Sequence, residues 1–130
     1  MSRNSIPETA ITDAELALMQ VLWREGPLNA RQITERLEAD RGWHRKTVNT
    51  LLSRLENKSA VRAEKRDGVN CFTPLVDAER YAQSATSQFV DRLFGGKLAP
   101  LIASFAEQRP LPPDELAELR KLLEDLGDDS

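Results

Sequence analysis

The sequence predicts a mainly α-helical protein with a small β-hairpin wing. It reads as an N-terminal winged helix-turn-helix followed by a C-terminal three-helix region. Three observations lead there. Three stretches of helical apolar spacing lie upstream of Ser59. Two alternating stretches around an Asp-Gly turn follow them. Beyond Val76 the spacing becomes helical again, broken by Gly95-Gly96 and by Pro110, Pro112 and Pro113. The domains are expected at 1–75 and 76–130.

The first helix starts at a capping box, Thr12-Asp13-Ala14-Glu15, in which Thr12 caps and Glu15 reaches back. Leu16, Met19, Leu22 and Trp23 follow at helical spacing, and Gly26-Pro27 ends the run. A second helix opens at Asn29 with Gln32 as its box partner, carries Ile33 and Leu37, and is interrupted by Gly42. The third is expected from about Arg45 to Lys58. Steps of about 100° put Val48, Leu51, Leu52 and Leu55 on one face. Lys46, Asn49, Thr50, Ser53 and Asn57 fall opposite, with Thr47 and Arg54 on the flank. Solvated helix faces are usually rich in Glu and Lys, and this one holds no acid before Glu56.

The hairpin is read as Val61 to Lys65, a turn at Arg66-Asp67-Gly68, and a return from Val69 to Thr73. Pro74 has no N–H, so pairing is expected to stop there. Three helices followed by a basic hairpin spell a winged helix. The third helix then enters the major groove and the hairpin lies on the phosphate backbone.

In the second half, Asp77 is expected to cap a helix bearing Tyr81, Ala85, Phe89 and Leu93 at i, i+4 spacing. Leu98, Leu101, Ile102 and Phe105 stripe a second helix, with Pro100 near its start. Leu116, Leu119, Leu122, Leu123 and Leu126 stripe a third, before an acidic tail. About 55 residues of short helices bury too little apolar surface alone. The stripes can fold back on residues 1–75 or pack against a second copy. The first half has a core of its own, so a two-fold homodimer is the expectation. Its contacts would come from Tyr81, Phe89, Leu93, Leu101, Phe105, Leu116, Leu119 and Leu123.

Composition narrows the function. At 130 residues the chain makes one compact domain, or two small ones sharing a dimer. It is 40% hydrophobic and 30% charged, which argues against both disorder and a membrane protein. No stretch approaches the ~20 apolar residues of a membrane span, and residues 1–10 hold no apolar leader. A cytoplasmic protein without membrane insertion is expected. One cysteine, Cys71, excludes an internal disulfide framework and a cysteine-rich metal cluster. One histidine, His44, excludes a two-histidine metal site. His44 reads as a helix N-cap or a phosphate contact, Cys71 as a half-buried small residue, and Trp23 and Trp43 as core anchors. No nucleophile, phosphate loop or metal spacing can be assembled. The chain is therefore read as a non-enzyme without metal or cofactor.

Net charge is −3, but its distribution is uneven. Residues 1–75 carry 12 basic and 10 acidic side chains, and residues 76–130 carry 6 and 11. Between Arg41 and Arg66 there are eight basic residues against Glu56 and Glu64. A basic segment within an acidic protein is the footprint of a small nucleic-acid reader. Candidate DNA contacts are Arg45, Lys46, Thr47, Asn49, Thr50 and Arg54 on the third helix, and Arg62, Lys65 and Arg66 on the hairpin. Asn suits adenine, Arg suits guanine or phosphate, and Thr offers a hydroxyl to phosphate and a methyl to thymine.

Five stretches, ITDAELALMQVLW, WHRKTVNTLLSRLENK, FTPLV, FVDRLFGGKLAPLIASF and LPPDELAELRKLLEDL, resemble the BlaI/MecI family of penicillinase repressors from about Ile11 to Leu126. The resemblance implies a dimeric winged-helix repressor on a dyad-symmetric double-stranded DNA operator. It carries the family's recognition contacts onto Lys46, Thr47, Thr50 and Arg54. It also implies control of β-lactamase or of cell-envelope and antibiotic-response genes. Inactivation would come by cleavage at Ser104-Phe105, through a membrane metalloprotease sensor or another protease. The chain departs from the family pattern at His44-Arg45, where Ser-Pro is common, so a different operator sequence is expected. Ser104-Phe105 likewise stands where Asn-Phe is usual. The cysteine cluster of the related copper repressors has no counterpart. The competing reading is a protein-interaction adaptor that uses its winged helix to hold a partner protein.

Overall fold

The computed structural model describes residues 11–128. The leader reading of residues 1–10 and the last two residues of the acidic tail lie outside them. The elements run α1 (Asp13–Glu25), β1 (Leu28–Asn29), α2 (Ala30–Arg41), α3 (Arg45–Asn57), β2 (Val61–Arg66), β3 (Val69–Pro74), α4 (Ala78–Phe94), α5 (Leu98–Gln108) and α6 (Pro113–Asp128). Contacts divide the chain into two compact units, one up to Ser87 and one from Gln88 on.

In the first unit, α1 and α2 each begin at a complete capping box. The Thr12 hydroxyl accepts from the Glu15 amide at 3.2 Å, and the Glu15 carboxylate accepts from the Thr12 amide at 2.9 Å. Asn29 and Gln32 repeat the exchange at 2.8 and 2.9 Å. Each box satisfies two amides that a helix start leaves without partners. Gly42 then ends α2 in the left-handed region at φ 71°, donating to Glu38 O. The chain is thereby turned into α3 within three residues.

The three helices close on one another. Leu18, Met19 and Leu22 of α1, Ile33 and Leu37 of α2, and Val48, Leu51, Leu52 and Leu55 of α3 share one buried cluster. Val61 and Phe72 of the hairpin join it. Each such side chain contributes about 1.5–3 kcal/mol by leaving water. Trp23 and Trp43 pack on its edge, half-buried. The Trp23 indole donates to Val76 O at 2.8 Å, and its ring lies 5.8 Å from Tyr81.

The hairpin is closed by Asp67-Gly68, both at positive φ (53° and 79°). This is the left-handed pair of a two-residue turn, so Arg66 belongs to the strand and not to the turn. Pairing does not stop before Pro74, contrary to expectation. Pro74 faces Val61, and beyond it Leu75 N–H donates to Ala60 O at 2.8 Å. Antiparallel pairs exchange hydrogen bonds at alternate residues, and Pro74 occupies a position where no N–H is required. The sheet also has a third strand, in the order β1-β3-β2. Leu28 pairs with Phe72 and Asn29 with Cys71, which is half-buried.

In the second unit, α4 ends at Gly95 and Gly96, both at positive φ, with Gly96 N–H donating to Val90 O. Earlier on α4, Asp77 caps the start by accepting from the Arg80 amide at 3.0 Å. Pro100 lies in the first turn of α5, and Pro113 opens α6, positions that need no N–H. No residue from Gln88 to Gly127 is buried. Among the described residues no helix is long and apolar enough to cross a membrane.

Candidate nucleic-acid interface

The candidate surface is built on α3. Val48, Leu51, Leu52 and Leu55 are at most 4% exposed and seat the helix on α1 and α2. Arg45, Lys46, Thr47, Asn49, Thr50, Ser53 and Arg54 all face solvent. The helix brings together every third-helix residue that its spacing nominated. Arg45, Lys46 and Arg54 form no ion pair among the described residues, and the first turn of α3 contains no acid. The Thr50 hydroxyl donates to Lys46 O at 3.1 Å.

The start of α3 differs from those of α1 and α2. His44 is the N-cap residue, but its side chain makes no capping hydrogen bond. The first-turn amides therefore have no side-chain acceptor from their own cap. Two adjacent cations and a helix N-terminus together attract phosphate. Arg41 stands over the Trp43 ring at 5.5 Å, just before this turn.

On the hairpin, Arg62, Lys65 and Arg66 are exposed. Arg62 and Arg66 flank Glu64 at 3.4 and 3.8 Å, so two of the wing's three cations share one carboxylate. Exposed pairs of this kind are worth about 1 kcal/mol or less. They leave the guanidinium groups available to a phosphate.

One contact escaped the sequence reading. Lys58, counted there only as part of the basic stretch, places Nζ 2.6 Å from Glu15 Oε1. The Glu15 side chain is fully buried. Burial opposes its charge, but the Lys58 ammonium and the Thr12 amide outweigh that effect and hold the carboxyl below its ordinary pKa. The signal was in the spacing. Glu15 falls on the apolar row of Ile11, Leu18, Met19 and Leu22, where only a partnered charge is tolerated.

The remaining nominated residues lie elsewhere. Tyr81 sits half-buried on Trp23 in the first unit. Phe89, Leu93 and Phe105 are exposed at 41%, 59% and 39%, and Leu123 at 46%. Leu101, Leu116 and Leu119 are half-buried. Ser104 and Phe105 lie inside α5, both exposed.

A family model described as penicillinase repressor matches residues 11–125. The chain belongs to the penicillinase repressor family. Its relatives include a penicillinase repressor of Bacillus licheniformis, 32% identical over 115 residues, spanning 88% of this chain and 90% of that one. The methicillin resistance regulatory protein MecI of Mammaliicoccus sciuri is 28% identical over 113 residues, spanning 87% and 92%. Among solved structures, the DNA-binding domain of the repressor BlaI matches with a TM-score of 0.51 and 35% identity, covering 57% of this chain and 88% of that one. The family is one of transcriptional repressors, and the match to the BlaI domain shows a winged-helix fold within the first unit.

Proposed function

We propose that the protein is a homodimeric transcriptional repressor that binds a dyad-symmetric operator. One observation carries the reading: α3 presents a solvent face of cations, Thr and Asn with no acid before Glu56, over a fully buried apolar face. Lys46 and Arg45 meet phosphate at the helix start. Asn49 and Thr50 face base edges, Thr47 and Arg54 flank them, and Arg62, Lys65 and Arg66 follow the backbone from the wing. In each half-site α3 enters one major groove, with half-site centres about one helical turn or slightly more apart.

Residues 76–130 supply the dimer. The apolar stripes support this. Between α5 and α6 lies a groove of about 480 Å³ lined by the apolar Ile102, Phe105, Leu111, Leu119 and Leu122 and by the charged Glu115, Glu118, Lys121 and Asp125. A second copy offers the same stripes in return. Two linked heads raise operator affinity through effective concentration. The bound dimer represses by occluding a promoter, of a β-lactamase gene or of cell-envelope or antibiotic-response genes. Binding DNA places it in the cytoplasm.

Release is by proteolysis at Ser104-Phe105, through a membrane metalloprotease sensor or another protease. That bond lies within a helix of a unit in which no residue from Gln88 to Gly127 is buried, so local opening of α5 at low cost exposes it.

The test is selection of bound fragments from the source genome by purified protein at two salt concentrations. The expected result is one dyad-symmetric site near a regulated promoter. Affinity for it should fall by about three orders of magnitude or more between 50 and 200 mM salt. Sequence-blind binding that vanishes by about 0.15 M salt would replace this reading with that of a protein-interaction adaptor.

A further inference from the structure

Two exposed cations of α3, Lys46 and Arg54, lie on one row with the capping residue Lys58. Lys46, Thr50, Arg54 and Lys58 succeed one another at four-residue steps. Four residues overshoot a full helical turn by about 40°. Over three steps the row rotates by about 120°. Lys46, Thr50 and Arg54 are exposed, whereas the Lys58 side chain is 30% exposed and reaches Glu15. The last cation of the row thus points to α1.

Glu15 is held from two sides. Its Oε1 accepts from Lys58 Nζ at 2.6 Å and from the Thr12 amide at 2.9 Å. Through the second bond the capping box that starts α1 also fixes the carboxylate that receives α3. Lys58 is fixed in turn. Its backbone N–H donates to Arg54 O at 3.0 Å, closing α3 at a residue assigned to DNA contact. Ser59 then adopts φ 62°, and Ala60 N–H reaches Leu55 O at 2.8 Å.

The rest of the α3 seat is apolar. Val48, Leu51, Leu52 and Leu55 hold the helix by shape alone, because hydrophobic contact is non-directional. The ion pair adds a directional constraint: a displacement of about 1 Å takes the 2.6 Å contact out of hydrogen-bond range and leaves the fully buried carboxylate poorly paired. A buried pair adds little net stability over apolar residues of the same size. Its distinctive capacity is to select one placement.

We infer that Glu15 and Lys58 are a positioning pair that sets the rotation and axial placement of α3 against α1, and that Lys58 is not a phosphate contact. This rests on the reading of α3 as the operator-contacting helix. The pair then governs discrimination between operator and other DNA, while total attraction to DNA is left to the exposed cations.

The experiment uses the full chain with Glu15→Gln, Lys58→Met and Lys58→Arg. The probes are the selected operator duplex and a scrambled duplex of equal length, each titrated across salt. Temperature is set well below every melting midpoint. Glu15→Gln and Lys58→Met should each lose about tenfold or more in operator affinity, with scrambled-duplex affinity within about twofold. Lys58→Arg should recover most of the loss. The salt slope on the scrambled duplex should stay unchanged. Equal weakening on both duplexes, with a slope lowered by about one per protomer, would make Lys58 a phosphate contact and overturn the inference. A lower melting midpoint with an unchanged operator-to-scrambled ratio would make the pair merely structural and overturn it as well. Should Lys58→Met fail to fold, Glu15→Gln reads the same ratio, since the amide keeps an oxygen for Thr12. Operator preference in the unmodified chain with an unchanged Glu15→Gln ratio overturns the positioning pair alone. Absence of any operator preference in the unmodified chain overturns the repressor reading and the pair together.

Discussion

Residues up to Ser87 and residues from Gln88 on use the same material to different effect. Both are built from amphipathic helices of 11 to 17 residues, most of them stopped by glycine or proline and α3 by Lys58 and Ser59. In the first unit the stripes of α1, α2 and α3 face one another, and the hairpin contributes Val61 and Phe72 to the same core. In the second unit Leu93, Leu98, Leu122 and Leu126 remain between 47% and 59% exposed. Amphipathicity alone therefore does not make a core. Each stripe needs a facing stripe, and a short chain with few helices cannot supply enough of them. The first unit has a core of its own, and the second is proposed to complete its core in a pair.

The largest expected effect comes from breaking the pair. Phe105→Asp with Leu119→Asp puts charge on the stripes of α5 and α6. Operator affinity should drop by about two to four orders of magnitude, because each head then binds alone. Gel shift on the selected operator reads this, and the near-ultraviolet signal of Trp23 and Trp43 should persist. Next is the reading face. Lys46→Ala with Arg54→Ala should cost about 1–3 kcal/mol per contact in operator binding, with an unchanged melting curve. The contrast in packing is sharpened by a matched pair of leucines. Leu22→Ala, at a fully buried site, should lower unfolding free energy by about 2–5 kcal/mol in a urea titration. Leu126→Ala, 58% exposed, should change it by no more than about 0.5 kcal/mol. Asn29→Ala removes one capping box and should cost about 1 kcal/mol by the same titration.

The smallest expected effect is the acid response of Glu15. Its folded pKa is depressed, so the unfolded chain takes up that proton first as pH falls. The stabilisation is complete above the ordinary value near 4.3 and is lost as pH drops from there through the lowered value. Urea midpoints measured from about pH 6 to pH 3 should therefore converge between the unmodified chain and Glu15→Gln. Glu25, lowered by its hydrogen bond to Arg36, titrates alike in both and cancels.

The helices were legible because their signals are local. Capping pairs three residues apart, apolar periods and Gly or Pro stops each act within a few residues. The exposed face of α3 followed from the same periodicity. The misses concern partners distant in sequence. β1 is only two residues long, and Asn29 was read as the cap it also is. Pro74 was read by its missing N–H, whereas its register, set by pairing with Val61, makes the loss harmless. Lys58 looked like one more surface cation because its partner lies 43 residues upstream. Glu15 on an apolar row was the visible half of that contact.

The comparison between the two units meets its most direct test in the mass of the intact chain in solution, alone and on the selected operator. Sedimentation velocity at micromolar concentration should give two chains per particle, and two chains per operator duplex. A monomer, with the amides of α5 and α6 protected from exchange in that monomer, would show the second unit to be complete by itself and contradict the account.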